Sequence, residues 1–333
     1  MTRDGHHGWA GTMPTLADVF VAQKMIRPYL KPTPLLNSEV LSERFGCRVL
    51  IKCENLNPTG AFKIRGGIYL VGRLDSEQRA RGVVAASTGN HGQSIAYAAR
   101  LFGVKATIFV PQRCNQMKVA SMHRLGARVM AEGLGFDEAF RAAERFAAET
   151  GAHFVHSANE PDLVAGVGTY TLEIMQEEPE IDAIFVPIGA GSGACGACVA
   201  GKGIHPPLQV IGVQAEGAPS VYESWQAREL GELAVANTFA EGIATRTAFA
   251  LPAAILWDTI DDIMLVSDAD MRRSIVTLLE AMHMVAEGAG AAALAGAWKR
   301  RNDFAGKTIA VVLSGGNLTS DALVQALTEE RSW

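Results

Sequence analysis

A lysine set between a glycine turn and a helix start is the residue in this 333-residue chain whose setting most suggests covalent chemistry. It lies in Asn57-Pro-Thr-Gly-Ala-Phe-Lys63-Ile-Arg-Gly-Gly67, where Pro58 and Gly60 make the turn and a helix is expected to begin near Arg65. An ammonium becomes nucleophilic when burial or neighbouring cations lower its pKa. Phe62 and Ile64 can supply the apolar surroundings. Alone, the segment reads first as a surface lysine near a helix N-terminus.

Three further segments combine glycine with polar side chains. In Ala86-Ser-Thr-Gly-Asn-His-Gly-Gln93 a strand gives way to a helix, with Ser87 and Thr88 as hydroxyl caps and Gly89 allowing close backbone approach. The free N–H groups there suit an anion such as a carboxylate, and Asn90 offers both donor and acceptor. A capped helix without a ligand explains the same residues, and His91 is read as a structural hydrogen-bonder. In Pro187-Ile-Gly-Ala-Gly-Ser-Gly-Ala-Cys-Gly196, backbone N–H groups and the Ser192 hydroxyl can cradle a phosphate. It is not a nucleotide P-loop, having no Gly-Lys-Ser/Thr, and Glu216 is the nearest stand-in for the acidic residue of a dinucleotide fingerprint. In Val311-Val-Leu-Ser-Gly-Gly-Asn317, Ser314 ends a buried strand, where a neutral hydroxyl can donate to a ring nitrogen or simply start a turn.

These segments need strands and helices to carry them. Short apolar runs predict strands at Val49–Cys53, Val83–Ser87, Ala106–Val110, Val129–Ala131, Ala183–Pro187, Gln209–Gln214 and Thr308–Leu313. Helical patterns lie between them at Gln93–Phe102, Asn115–Leu125, Phe136–Glu149 and Asp162–Glu177. Such alternation implies an α/β protein with parallel sheets covered by helices. No repeat, low-complexity segment or linker stands out, and Ala227–Thr247 reads as an irregular surface excursion.

Composition narrows the function classes. Hydrophobic residues make up 48% and charged residues 20%, with net charge −5, which argues against a nucleic-acid binder and against an anionic membrane as partner. No apolar run is long enough to span a bilayer. The first residues read as a loose leader with structure starting near Thr15, and the His6-His7 pair within it is not read as a metal site. Five dispersed cysteines suit a reducing cytoplasm. Cys195 and Cys198 form a C-x-x-C that reads as small residues packing a helix start, since no second pair or histidine completes a zinc site.

Taken together and in this order, the four motifs resemble the fold-type II pyridoxal-phosphate enzymes, with threonine and serine dehydratases and serine racemase as the nearest relatives. Pro32-Thr-Pro-Leu35, Glu160-Pro-Asp-Leu-Val-Ala-Gly166, Ala240-Glu-Gly-Ile243 and Glu287-Gly-Ala-Gly290 extend the resemblance. It implies two parallel-sheet lobes of the tryptophan synthase β type. Residues 1–64 and 159–333 form a large cofactor-binding domain, and residues 65–158 a small mobile one. It further implies that Lys63 carries pyridoxal 5'-phosphate as a Schiff base and removes the substrate α-proton. Gly189, Ala190, Gly191, Ser192 and Gly193 hold the cofactor phosphate, Ser314 meets the pyridine nitrogen, and Phe62, Asn90 and Glu287 complete the cofactor site. Ser87, Thr88, Gly89, Asn90 and His91 grip the substrate carboxylate, with Ala158 near its side chain.

The implied reaction removes the β-hydroxyl of a small amino acid, of threonine or serine type, to give a 2-oxo acid and ammonia. A bulkier substrate such as L-phenylserine or a hydroxyectoine-pathway intermediate, or serine racemisation, is the alternative. Some positions depart from the family pattern. Ala61 stands where serine is common, Thr88 replaces the serine of serine racemase, and Ala158 lacks a polar group. After Glu216 no second carboxylate follows until Glu223, so no metal is expected. No regulatory domain is expected after Ser314. A cytoplasmic homodimer or other homo-oligomer is expected.

Overall fold

The computed structural model describes residues 8–333; the His6-His7 pair lies outside the described residues. In chain order the strands are β1 (Leu35–Asn37), β2 (Arg48–Cys53), β3 (Val83–Ala86), β4 (Ala106–Val110), β5 (Arg128–Ala131), β6 (His153–Phe154), β7 (Ala183–Pro187), β8 (Gln209–Ala215), β9 (Asp262–Val266) and β10 (Thr308–Leu313). They form a six-stranded sheet, ordered β1-β2-β10-β7-β8-β9, and a four-stranded sheet, ordered β5-β4-β3-β6. Every pairing is parallel except the antiparallel edge pair β1–β2.

The strand sequences explain the layering. Alternate residues of a strand face opposite sides of its sheet, and a parallel sheet is covered on both. Val49, Ile51, Phe185, Ile309 and Val311 share one core with Leu294 of the helix Gly288–Lys299. The interleaved Leu50, Ile184, Val186, Ala310 and Val312 share another with Tyr170 of the helix Pro161–Glu177. In the smaller sheet, Val83, Ala85, Ile108 and Val110 pack with Ile95, whereas Val84, Ala86 and Phe109 pack with Ala139 and Ala143.

Topology gathers the motifs at one edge. Central β10 lies between β2 and β7, with Leu313 opposite Cys53 and Val311 opposite Phe185. The chain therefore leaves three neighbouring strands at their C-terminal ends toward Lys63, toward the Gly189–Gly193 loop and through Ser314. The carboxyl ends of parallel strands are where open α/β sheets bind ligands.

The boundaries show where local patterns mislead. Helices begin at Asn90 and Lys63, earlier than the expected Gln93 and Arg65. Beyond the end of β3 the Ser87 N–H still donates to the Phe109 carbonyl of β4 at 3.0 Å, while its hydroxyl accepts the N–H groups of Gly89 and Gly92, at 3.2 and 2.8 Å. That makes Gly89, not a hydroxyl residue, the N-cap position. The stretch expected as a surface excursion is irregular after Ala227, but its end is not superficial. Ala240 and Ile243 are each 2% exposed, and a Cβ added at Gly189 would meet the Gly242 carbonyl at 2.6 Å. Apolar side chains pull this segment inward against the glycine loop. All five cysteines are buried and free, and Cys195 and Cys198 belong to the same core cluster. No helix among the described residues is long and apolar enough to cross a membrane.

Candidate active site

Lys63 opens the helix Lys63–Arg73. The turn before it is locked to the turn after β10: the Phe62 N–H donates to the Ser314 carbonyl at 3.0 Å, the Gly316 N–H to the Gly60 carbonyl at 2.9 Å, and Ala61 bridges Gly315. Gly60 is required here, with φ +69° and the Asn317 amide 2.6 Å from where a Cβ would stand. Its helix is wedged between two others. A Cβ on Gly166 would lie 2.7 Å from the Gly66 Cα, one on Gly67 would lie 2.2 Å from Ser94 Oγ, and the Ser94 hydroxyl donates to the Lys63 carbonyl at 2.6 Å.

The Lys63 ammonium donates to Ser192 Oγ at 2.8 Å, and no ion pair to a carboxylate forms among the described residues. Burial lowers its pKa to about 8, with Cys195 acting weakly in the opposite sense. Nζ lies 5.2 Å from the centre of the Phe62 ring. That ring stands edge-on to Tyr170, whose hydroxyl donates to the Gly193 carbonyl at 2.7 Å.

Beneath this site is a buried cluster that the sequence reading did not anticipate. Arg65 donates to Glu54 at 2.7 and 2.8 Å and to Glu173 at 2.6 and 2.8 Å. Lys52 donates to Glu173 at 2.6 Å and to the Thr33 carbonyl at 2.7 Å. The available signal was charge inside apolar runs, since Lys52 interrupts the β2 pattern and Glu173 an apolar helix.

After β7, Gly189 and Ala190 are partly exposed, and Gly191 adopts φ +103° ahead of the helical turn Ser192–Ala197. Amides of a helix's first turn have no partner inside the helix. The loop thus offers bare N–H groups and the Ser192 hydroxyl, a donor set that suits a phosphate. Gly191 is constrained by the protein itself, because a Cβ there would lie 2.8 Å from Pro252. Gly191→Val should therefore lower both cofactor affinity and the melting temperature of the cofactor-free protein, by about 1–3 kcal/mol of stability from backbone strain. Titrating the variant with cofactor and melting it without cofactor measure the two effects; wild-type values in both would remove the loop from the site.

The loop at Ser87–His91 faces this region from the smaller sheet. Thr88, Gly89 and Asn90 are partly exposed, whereas Ser87 and His91 are buried. Burial and the Lys63 charge lower the His91 pKa to about 3, so the ring is neutral, and Nε2 is 3.2 Å from the Val155 carbonyl. Asn90 donates to Glu287 at 2.6 Å and accepts from Asn317 at 2.7 Å. Burial raises the Glu287 pKa, partly opposed by the Asn90 hydrogen bond. Lys118 pairs with Glu241 and lies 3.8 Å from where a Gly89 Cβ would stand.

Ser314 is 6% exposed and its hydroxyl makes only a long contact, 3.5 Å, to the Ala289 carbonyl. With Phe62, Tyr170, Gly193 and Val312 it lines a small cavity. Ala61 and Ala158 are fully buried, and the Ala158 N–H donates to His156 Nδ1 at 3.0 Å. Glu216 faces Lys299 at 3.5 Å, and no group of three or more potential metal-ligating side chains forms among the described residues.

A family model described as pyridoxal-phosphate dependent enzyme matches residues 26–315. An L-threonine ammonia-lyase of Thermotoga maritima is 42% identical over 306 residues, covering 92% of this chain and 76% of the relative. An L-threo-3-hydroxyaspartate ammonia-lyase of Saccharomyces cerevisiae is 33% identical, covering 92% and 94%. Among solved structures, the processed form of threonine deaminase isoform 2 from Solanum lycopersicum superposes with TM-score 0.91 at 27% identity, over 98% of this chain and 93% of that one. Maize serine racemase gives 0.89 at 30% identity, over 95% and 99%.

Proposed function

This chain belongs to the pyridoxal-phosphate-dependent enzymes, and on that premise we propose that it is an ammonia-lyase that dehydrates a β-hydroxy L-amino acid of the threonine or serine type. Water leaves as the Cα proton and the β-hydroxyl, and hydrolysis of the remaining carbon–nitrogen bond yields a 2-oxo acid and ammonia. The observation that carries this reading is Lys63: a buried lysine with no carboxylate partner among the described residues, hydrogen-bonded to a glycine loop, beside a strand ending in a neutral serine.

When bound, the cofactor supplies a conjugated sink for the electron pair left as the Cα–H bond breaks. The chain's residues do the rest. Gly189, Ala190, Gly191, Ser192 and Gly193 hold the phosphate through backbone N–H groups and the Ser192 hydroxyl. Ser314 offers a hydroxyl to the ring nitrogen, and being uncharged it does not favour ring protonation as an aspartate would. Phe62, Asn90 and Glu287 border the ring. Ser87, Thr88, Gly89, Asn90 and His91 bring the start of a helix to the substrate carboxylate. Lys63 Nζ, neutral near its lowered pKa, takes the α-proton. The small mobile domain we assign to residues 65–158 contains the four-stranded sheet, so its movement brings the carboxylate loop toward Lys63. Free, buried thiols support a cytoplasmic setting, and we assign a homo-oligomeric state.

The deciding experiment measures 2-oxo acid release from L-threonine, L-serine and L-phenylserine. Threonine or serine should give the highest kcat/KM; release from none of the three would overturn the assignment. The pH dependence of loading follows from the same lysine. Burial favours its neutral form, so the rate at which cofactor-free protein attaches the cofactor should rise with pH through a midpoint near 8. An exposed lysine would keep the rate climbing to about 10.4. Stopped-flow absorbance across pH 6–11 measures it.

A further inference from the structure

We propose that Asn317 is a positioning residue that fixes which way the Asn90 side-chain amide faces. A backbone carbonyl only accepts hydrogen bonds, and Asn317 Nδ2 donates to the Thr59 carbonyl at 2.8 Å. The same Nδ2 donates its second proton to Asn90 Oδ1 at 2.7 Å. Asn90 must therefore turn its oxygen toward Asn317 and its nitrogen toward Glu287, where Nδ2 donates to Oε1 at 2.6 Å. Two amides in series inherit one polarity from one carbonyl, whatever the protonation of Glu287.

The ring is closed through the backbone. The Glu287 N–H donates to the Gly315 carbonyl at 3.1 Å, two residues before Asn317, and a Cβ on Gly315 would lie 2.2 Å from Glu287 Oε1. Asn317 itself sits over Gly60. One side chain thus joins three parts of the site: the turn before Lys63, the turn after Ser314, and the helix start at Asn90. Only one Nδ2 proton of Asn90 has a protein partner among the described residues. The other is presented to the site as a donor. A reversed Asn90 would present a lone pair instead.

The inference rests on the assignment of Asn90 to the cofactor ring made above, and its test separates orientation from mere clasping. Asn317→Asp keeps the shape but replaces the donor with acceptors, so Asn90 is driven to reverse. Asn317→Ala removes the donor and lets water serve Asn90 Oδ1. Both lose the Thr59 contact, so both should lower the melting temperature of the cofactor-free protein by similar amounts. The pH titration of the bound cofactor's absorbance tells them apart. Loss of a donor at the ring holds the proton on the Lys63-linked nitrogen more firmly. In Asn317→Asp the midpoint should move upward by roughly one pH unit, equivalent to about tenfold, and by clearly less in Asn317→Ala. Midpoints equal to wild type in both variants, whatever their melting temperatures, overturn the positioning role. A wild type with no cofactor absorbance band at all overturns the ring assignment and this inference with it.

Discussion

Lys63→Ala should lower kcat/KM by about four orders of magnitude, because in the proposed reaction one side chain both binds the cofactor covalently and moves the α-proton. Two buried lysines differ in their surroundings. Lys52 is held by the Glu173 carboxylate at 2.6 Å and the Thr33 carbonyl at 2.7 Å, which tie its nitrogen into the buried ion cluster and away from an incoming aldehyde. Lys63 has a hydroxyl at 2.8 Å and a pKa brought down to about 8 by burial. Borohydride reduction of the loaded protein followed by peptide mapping should therefore find the cofactor on Lys63. Label on Lys52 would sink the assignment. In Lys63→Ala the phosphate loop remains, so cofactor should still bind, reversibly and more weakly.

Arg65→Met should cost about 3–5 kcal/mol of stability, the usual consequence of removing one partner from a buried ion cluster. Arg65 is 1% and Glu54 0% exposed, so solvent does little to screen them. Arg65 and Lys52 balance Glu54 and Glu173; without Arg65, one buried negative charge is left over. Acid should reveal the sign. In the native protein burial pushes the Glu54 carboxyl up, but the Arg65 and Lys52 charges and the hydrogen bonds hold it below its ordinary value. A lowered folded-state pKa contributes stability above the unfolded value, and that contribution is lost as pH falls through the folded one. The variant lacks the contribution, and protonation relieves its stray charge. The gap between the two proteins should be widest at neutral pH and narrow below about pH 4.5. Denaturant unfolding at neutral and acidic pH measures it. A gap that stays constant would mean that lost packing, not charge, is responsible. Arg65→Lys should fall between, since it keeps the charge but not the fork that reaches both carboxylates.

The parts of the site that the sequence revealed are local. Gly60, Gly191 and the Ser87–Asn90 turn announce themselves because a left-handed φ, a free amide or a cap needs a particular residue at a particular place. Where strand and turn meet, one residue serves both: the Ser87 N–H continues the hydrogen bonding of the strand while its hydroxyl is taken by the turn. The reading of Ala227–Thr247 as superficial failed only near its end, for a related reason. The segment has neither period, so nothing local shows that Ala240 and Ile243 are buried.

By itself, then, the sequence determined seven of the ten strands, the helical stretches between them and the glycine loops at their ends, because each follows from backbone geometry and the polarity of neighbouring residues, and it singled out Lys63 only through the four motifs taken together. Only the tertiary structure decided the sheet order that brings those loops to one edge, the partners of Arg65 and Lys52, and the relay through Asn317. Glu173 lies 108 residues from Arg65 and 121 from Lys52; Asn90 lies 197 residues from Glu287 and 227 from Asn317. Side-chain periodicity reports which face of an element is apolar. It carries no information about which distant polar group a buried charge or amide will meet, and that choice is made by packing alone.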